Sequence, residues 1–278
     1  MLVLNTIADC NAWRKNQNTT VGFVPTMGAL HEGHLSLIKH SQEHCTKTLV
    51  SIYINPAQFA ENEDLSSYPK TINEDFENLK KMNVDAVFIP TDNEMCPDNQ
   101  TKVFSYENAL FKKLEGQSRP HFFYGVTKVV AKLFDIVQPT HTFFGEKDAQ
   151  QLIIIKEMIG AMRYPVVLIS CPTIRDNNGL ALSSRNNYLT KNETKQAAII
   201  YQSLMQMKEG LNQGISNTNN LKEIFKQNII TNHYMKIDYI SIADIKTLDE
   251  VSKIEGQKIL VSTAVFFKDV RLIDNFIY

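Results

Sequence analysis

The stretch Val21-Gly-Phe-Val-Pro-Thr-Met-Gly-Ala-Leu-His-Glu-Gly-His34 decides how this chain is read. A short apolar run breaks at a Gly-punctuated turn, passes two histidines and enters the helical pattern Leu35-Ser-Leu-Ile-Lys-His40. Glycines at 28 and 33 let the backbone come close to a ligand. A helix start offers N–H groups without intrahelical partners and the positive end of a dipole, which together suit a phosphate. His31 and His34 add donors at that spot, and positive charge if protonated. A nucleotide triphosphate is the expected guest. His31-Glu-Gly-His34 is not the zinc-protease pattern, which puts three residues between its histidines on a helix. Two surface histidines beside a turn would be written the same way; the strand ending in Pro25-Thr-Met-Gly28 favours the ligand site.

Outward from this stretch, strand-like runs alternate with helical patterns. Val21–Val24, Leu49–Ile54, Ala86–Ile89, Thr142–Phe144 and Val166–Ser170 are rich in β-branched and aromatic residues and read as buried strands. Leu35–Cys45, Asn73–Met82, Val126–Val137 and Ala149–Met162 read as helices between them. In the third, Val126, Val129, Val130, Leu133 and Val137 line one face. The alternation predicts an α/β fold, a Rossmann-like doubly wound parallel sheet with helices on both faces. Such sheets bind ligands beyond the carboxyl ends of the strands, where the strand order switches. The histidine turn follows the carboxyl end of the first clear strand.

The pattern changes after Pro172. Asp176-Asn-Asn-Gly179 is turn chemistry, Leu182-Ser-Ser-Arg-Asn-Asn187 is a polar loop, and helices are expected over Asn192–Glu209 and Leu221–Asn232. A linker at Gln213–Asn220 separates them, and strands at Ile237–Ile242 and Lys258–Phe267 finish the reading. The expected division is 1–172 for the larger domain and 173–278 for a smaller α+β lid.

Basic and acidic residues number 29 and 30, a net charge of -1 that gives no reason to expect nucleic acid or a membrane surface as partner. Cys10, Cys45, Cys96 and Cys171 form no C-x-x-C pair, and are expected to be reduced residues of a cytosolic protein. Met1–Asp9 lacks the features of a signal peptide, and no run approaches the roughly 20 apolar residues of a membrane span. Sequons at Asn18 and Asn192 then carry no meaning, and a cytoplasmic location is expected.

Three polar clusters stand where loops are expected: Asn55-Pro-Ala-Gln-Phe59, Gly145-Glu-Lys-Asp148 with Ala149-Gln-Gln151, and Leu182-Ser-Ser-Arg185. Each follows a strand or opens the second domain, so one cleft is expected to gather them. Singly, each has a plainer reading. Asp148 is placed to cap the helix at Ala149, Ser183 or Ser184 to bond the local backbone, and Arg185 to be a solvated charge.

Taken together, Pro-Thr-Met-Gly-Ala-Leu-His-Glu-Gly-His34, Asn-Pro-Ala-Gln-Phe59, Glu63-Asp-Leu-Ser-Ser-Tyr-Pro-Lys-Thr71, Phe144-Gly-Glu-Lys-Asp-Ala-Gln-Gln-Leu152 and Gly179-Leu-Ala-Leu-Ser-Ser-Arg-Asn186 resemble the pantothenate synthetase family. That family belongs to the H-x-G-H nucleotidyltransferase-like group, and the resemblance runs nearly end to end, to Val270-Arg-Leu-Ile-Asp274. It implies joining of pantoate to β-alanine with ATP, through a pantoyl adenylate, giving pantothenate, AMP and pyrophosphate. It implies that Met27, Gly28, Ala29, Leu30, His31, Glu32, Gly33 and His34 meet ATP, with Gly145, Glu146, Lys147 and Asp148. Ile174, Leu182, Ser183, Ser184 and Arg185 complete the nucleotide set. His31, His34, Lys147 and Arg185 are the catalytic candidates. Gln58 and Gln151 match the pantoate positions, and Gln58 also lies where the family holds β-alanine. Their amides donate and accept, as a hydroxylated acid requires. Magnesium is expected with ATP and no residue is assigned as its ligand; Asp75 is a candidate outer contact. A homodimer through the larger domain is also implied. The family usually reads Arg-Pro-Gly-His-Phe-Arg-Gly-Val, whereas this chain has Arg119-Pro-His-Phe-Phe-Tyr-Gly-Val126. His121 and Tyr124 therefore receive no role, and Arg119 is either a ligand contact or one half of a charge pair.

Overall fold

Six short strands form one sheet: β1 (Leu2–Leu4), β2 (Val21–Thr26), β3 (Lys47–Ile52), β4 (Ala86–Phe88), β5 (His141–Gly145) and β6 (Val167–Cys171). The structure is a computed structural model and describes residues 1–60, 63–95 and 106–278; Cys96 lies outside the described residues. The strand order is β1-β4-β3-β2-β5-β6, and every pairing is parallel. From β2 the chain steps outward through β3 to β4, then returns to the other side of β2 for β5 and β6. The order therefore reverses between β2 and β5, which makes their carboxyl ends the switch point.

Alternation along each strand explains why both faces are covered. Val21, Phe23, Leu49, Ala86 and Phe88 enter one apolar cluster, with Trp13, Val130, Phe134 and Met158. Val24, Val50, Ile52 and Val87 point the other way, into a cluster with Leu37, Ile38 and Leu79. The helices that carry these partners are α1 (Ile7–Lys15), α2 (Glu32–His44) and α3 (Ile72–Lys81), followed by the single turn α4 (Asp92–Met95). After α5 (Glu115–Ser118) come α6 (Phe122–Val137) and α7 (Ala149–Ala161). The expected strands and helices of this sheet are present with ends shifted by a few residues, and β1 and α1 are additional.

The chain divides into two compact units, Met1–Phe111 with Arg119–Pro172, and Lys112–Ser118 with Thr173–Tyr278. In the second, helices α8 (Lys191–Ala197), α9 (Ile199–Asn212) and α10 (Thr218–Ile229) accompany an antiparallel sheet. Its strands, in spatial order, are β7 (Met235–Asp244), β8 (Ile259–Phe267) and β9 (Val270–Ile277). The single helix expected over Asn192–Glu209 is two, because the backbone breaks at Ala198. Lys112–Ser118 is held in this unit by Arg271, whose guanidinium forks onto Glu115 at 2.6 and 2.9 Å, and by the Lys113–Asp249 pair at 2.6 Å. Among the described residues no helix is long and apolar enough to cross a membrane.

Candidate active site

The turn after β2 is built by side chains that seize its backbone. Thr26 donates its hydroxyl to the Ser51 carbonyl at 2.7 Å and accepts the Gly28 N–H at 3.2 Å. Gly28 and Ala29 then take φ of +81° and +49°. The left-handed region is free to glycine but strained for alanine. Asp75, reaching over from α3, accepts the Ala29 and Leu30 N–H groups at 3.0 and 2.8 Å.

His31 and His34 cap α2 reciprocally. His31 Nδ1 accepts the Gly33 N–H at 3.1 Å, and His34 Nδ1 accepts the His31 N–H at 3.3 Å. The rings lie 4.1 Å apart between centroids, tilted by 37°. A ring nitrogen that accepts carries no proton, so each neutral imidazole keeps its proton on Nε2 and presents it as a donor. Burial first, and then the Lys147 ammonium, push the His31 pKa down to about 4, against a smaller pull from Asp148. Burial, His31 and Lys147 together hold His34 well below the usual histidine value.

Two expectations change here. The sequence allows the histidines positive charge; in the folded chain at neutral pH they are neutral N–H donors, and the positive charge beside them is Lys147. The sequence also suggests that amides around the helix start are open to phosphate. Those of Ala29, Leu30, His31 and Gly33 are instead occupied by Asp75 and the two imidazoles. Asp75 also accepts the Thr71 hydroxyl, 3.3 Å away.

The turns after β3 and β5 stand on either side. After β3, the buried Asn55 accepts the Ala57 N–H at 3.3 Å. It donates to the Gly125 carbonyl at 3.1 Å and to Gln58 Oε1 at 3.3 Å. Gln58 in turn directs Nε2 at the Met27 sulfur, 2.7 Å away. The Gln58 amide is thereby oriented from both ends. After β5, Gly145 needs no special φ, and a side chain there would meet nothing within 4 Å. Asp148 stands at the start of α7 without capping it, 4.0 Å from Lys147 Nζ. Of the neighbouring glutamines, Gln150 is buried and donates to the Leu110 carbonyl, while Gln151 is half-buried.

The remaining candidates lie in the second unit. Leu182 N–H donates to the Ile174 carbonyl at 2.9 Å beside an antiparallel bridge between Arg175 and Ala181. Ser183 caps the short turn Ser184–Tyr188 by accepting the Arg185 N–H at 3.3 Å, so its hydroxyl does bond the local backbone. Ser184 is buried, and Arg185 is half-buried. Thr26, Asn55 and the clamping role of Asp75 are what the residue-by-residue reading of the site omits. The signal for Asn55 is its place before Pro56, where a side-chain oxygen organises a turn.

Over residues 2–277 the sequence matches the family described as pantoate-beta-alanine ligase. The chain belongs to this ligase family. A pantothenate synthetase of Clostridium botulinum is 44% identical to it over a 284-residue alignment, covering 100% of this chain and 99% of that one. The crystal structure of pantothenate synthetase from Thermus thermophilus matches with a TM-score of 0.91 at 36% identity, over 99% of each chain. The pantoate-beta-alanine ligase of Francisella tularensis, solved in complex with beta-gamma ATP and beta-alanine, matches with a TM-score of 0.78. It is 33% identical over 99% of this chain and 97% of that one.

Within this pantoate-beta-alanine ligase fold, Arg119, at the start of the atypical segment that runs into α6, has local partners. Arg119 pairs with Glu63 at 2.6 and 2.5 Å, donates to the Gln58 carbonyl at 3.1 Å and lies 3.9 Å over the Phe122 ring. Charge pairing is thus present, and through Gln58 it reaches a candidate substrate residue. Phe122 supplies a ring for Arg119, while His121 and Tyr124 are exposed.

Proposed function

We propose that the protein condenses pantoate with β-alanine using ATP, through a pantoyl adenylate, in the cytoplasm. A pantoate carboxylate oxygen attacks the α-phosphorus, forming the acyl–phosphate bond as the bond to pyrophosphate breaks. The β-alanine amine then attacks the activated carbonyl, loses a proton and displaces AMP. A carboxylate is already a nucleophile, so the protein has to align reactants and absorb charge. The observation that carries the reading is the pair of Nε2–H donors from His31 and His34 beside the Lys147 ammonium, at the switch point of the sheet.

In this reading His34 and His31 donate to the phosphates as negative charge moves onto the leaving pyrophosphate, and Lys147 neutralises it. The backbone from Met27 to Gly33 and from Gly145 to Glu146 lines the nucleotide, and the Asp148 carboxylate suits ribose hydroxyls. Gln58 and Gln151 hold pantoate. Ile174 and Leu182–Arg185 are assigned to the nucleotide on family likeness, with Arg185 as a second cation. Among the described residues no three His, Cys, Asp or Glu side chains group as a metal site. Magnesium fits this set as the companion of ATP, held by phosphate oxygens, where it would lower the charge of the leaving pyrophosphate. A homodimer is proposed on the same family likeness, and sedimentation velocity tests it.

Isotope exchange between pyrophosphate and ATP tests the reaction. Exchange should require pantoate, and AMP release should require β-alanine as well. Exchange driven by a phosphorylated alcohol would mean a nucleotidyltransferase, and no exchange with any acid would mean a nucleotide sensor.

A further inference from the structure

We propose that Asp75 is a positioning residue for His34, acting through the backbone of Ala29–His31; the proposal rests on the reading of the site given above. Asp75 is only 1% exposed and sits on α3, far along the chain from the turn it holds. One oxygen accepts the Ala29 N–H, and the other accepts the Leu30 N–H and the Thr71 hydroxyl. The next amide, that of His31, is the donor to His34 Nδ1. Three successive N–H groups are therefore bound by side chains, and the third fixes a catalytic candidate.

The clamp is needed because Ala29 holds a φ of +49°. That conformation costs a non-glycine residue on the order of 1–2 kcal/mol and persists only where its surroundings enforce it. Released, Ala29 would relax toward negative φ and rotate the peptides that follow. The His31 N–H would then leave His34 Nδ1, and nothing would keep the His34 proton on Nε2. A carboxylate is the group that suits this task, since both oxygens accept. An asparagine would set its own N–H2 against one of the two amides. Gly28 shows how closely the carboxylate is seated, because a Cβ there would lie 3.1 Å from Asp75 Oδ2.

The test is Asp75→Asn in the full-length protein, read by pantoate-dependent exchange and by 15N spectra of labelled histidine. Exchange should slow on the order of 10- to 100-fold, as for a catalytic group displaced by about an ångström. The KM for pantoate should stay unchanged, and His34 should become a mixture of tautomers. Exchange at the parental rate overturns the proposal. Slowed exchange with His34 still purely the Nε2–H form overturns it too, since the loss would then be merely structural. If Asp75→Asn does not fold, Thr71→Val, which removes one hydrogen bond from the same carboxylate, should shift both readouts in the same direction. A parental rate there overturns the proposal. His34→Ala separates the two levels of argument: if it is inactive while Asp75→Asn is not, only the clamp fails. If His34→Ala is fully active, the functional reading fails.

Discussion

His31 and His34 each give Nδ1 to a backbone N–H and keep a proton on Nε2, so their chemistry is set by the turn they cap. Removing a donor aimed at developing charge typically slows turnover by about 100- to 1,000-fold. His34→Ala should therefore lose that much in steady-state turnover while equilibrium binding of ATP weakens far less; parental turnover would take His34 out of the mechanism. His31 makes a separate prediction about stability. Above pH 6.5 it is neutral in both the folded and the unfolded chain. Between 6.5 and about 4 the unfolded chain takes up a proton that the folded site refuses. Stability should fall with falling pH across that window through this residue, and its contribution should level off below it. His31→Ala should flatten that part of the profile of denaturant midpoints, and equal slopes in both proteins would show another group at work. The two histidines, Lys147 and the glutamines stand out as candidates from motif order. Their charge states are not, because burial and the nearness of Lys147 are products of folding. Asp75 is legible as an acid but not as a clamp, since its partners lie 45 and 46 residues away.

Between elements, α6 comes close to the turn Pro56–Gln58 beside the site. A Cβ on Gly125 would lie 2.2 Å from the Ala57 carbonyl oxygen, a backbone atom already fixed by the Asn55 turn. Gly125→Ala must move the helix or the turn. We expect a loss of about 1–3 kcal/mol, the usual cost of overpacking, together with a raised KM for pantoate through Gln58. Unfolding midpoints and initial rates against pantoate check both; a stable variant with parental KM would mean the contact yields without disturbing Gln58. The same scale shows where pattern reading stops. The buried central strands announce themselves through Val, Ile and Phe, but β1 is only three residues long. β9 buries Leu272, Asp274 and Phe276 on one face, and the acidic member interrupts the apolar alternation. Asp274 is tolerated there because Arg175 forks onto it at 2.6 and 2.9 Å, a partner invisible in a local window. The break falls on Ala198, which like the preceding Ala197 has high helix propensity, so no local signal marks it.

At the scale of the whole chain, the path passes from the first unit to the second at Phe111–Lys112, back at Ser118–Arg119, and over again at Pro172–Thr173. Lys112–Ser118 is therefore a segment whose packing depends on residues more than a hundred positions later. Its anchor is ionic. Burial opposes the charge of Arg271, but Glu115 and Asp238 outweigh it and raise the guanidinium pKa further. Asp238 reaches the same guanidinium at 2.7 and 3.1 Å, so removing Glu115 leaves Arg271 with a more exposed carboxylate. Breaking one side of a buried pair typically costs about 3–5 kcal/mol, and the surviving Asp238 places Glu115→Ala at the lower end, about 3 kcal/mol. Because the loss belongs to the second unit, it should appear as earlier unfolding of that unit in denaturant, with the fluorescence of Trp13, in the first unit, following at its own midpoint. Replacing both charges, Glu115→Met with Arg271→Leu, should recover much of the loss, since no buried charge is then left without a partner. If Glu115→Ala unfolds at the parental midpoint, the segment is held by Leu114 and its apolar contacts, and the ion pair contributes register rather than stability.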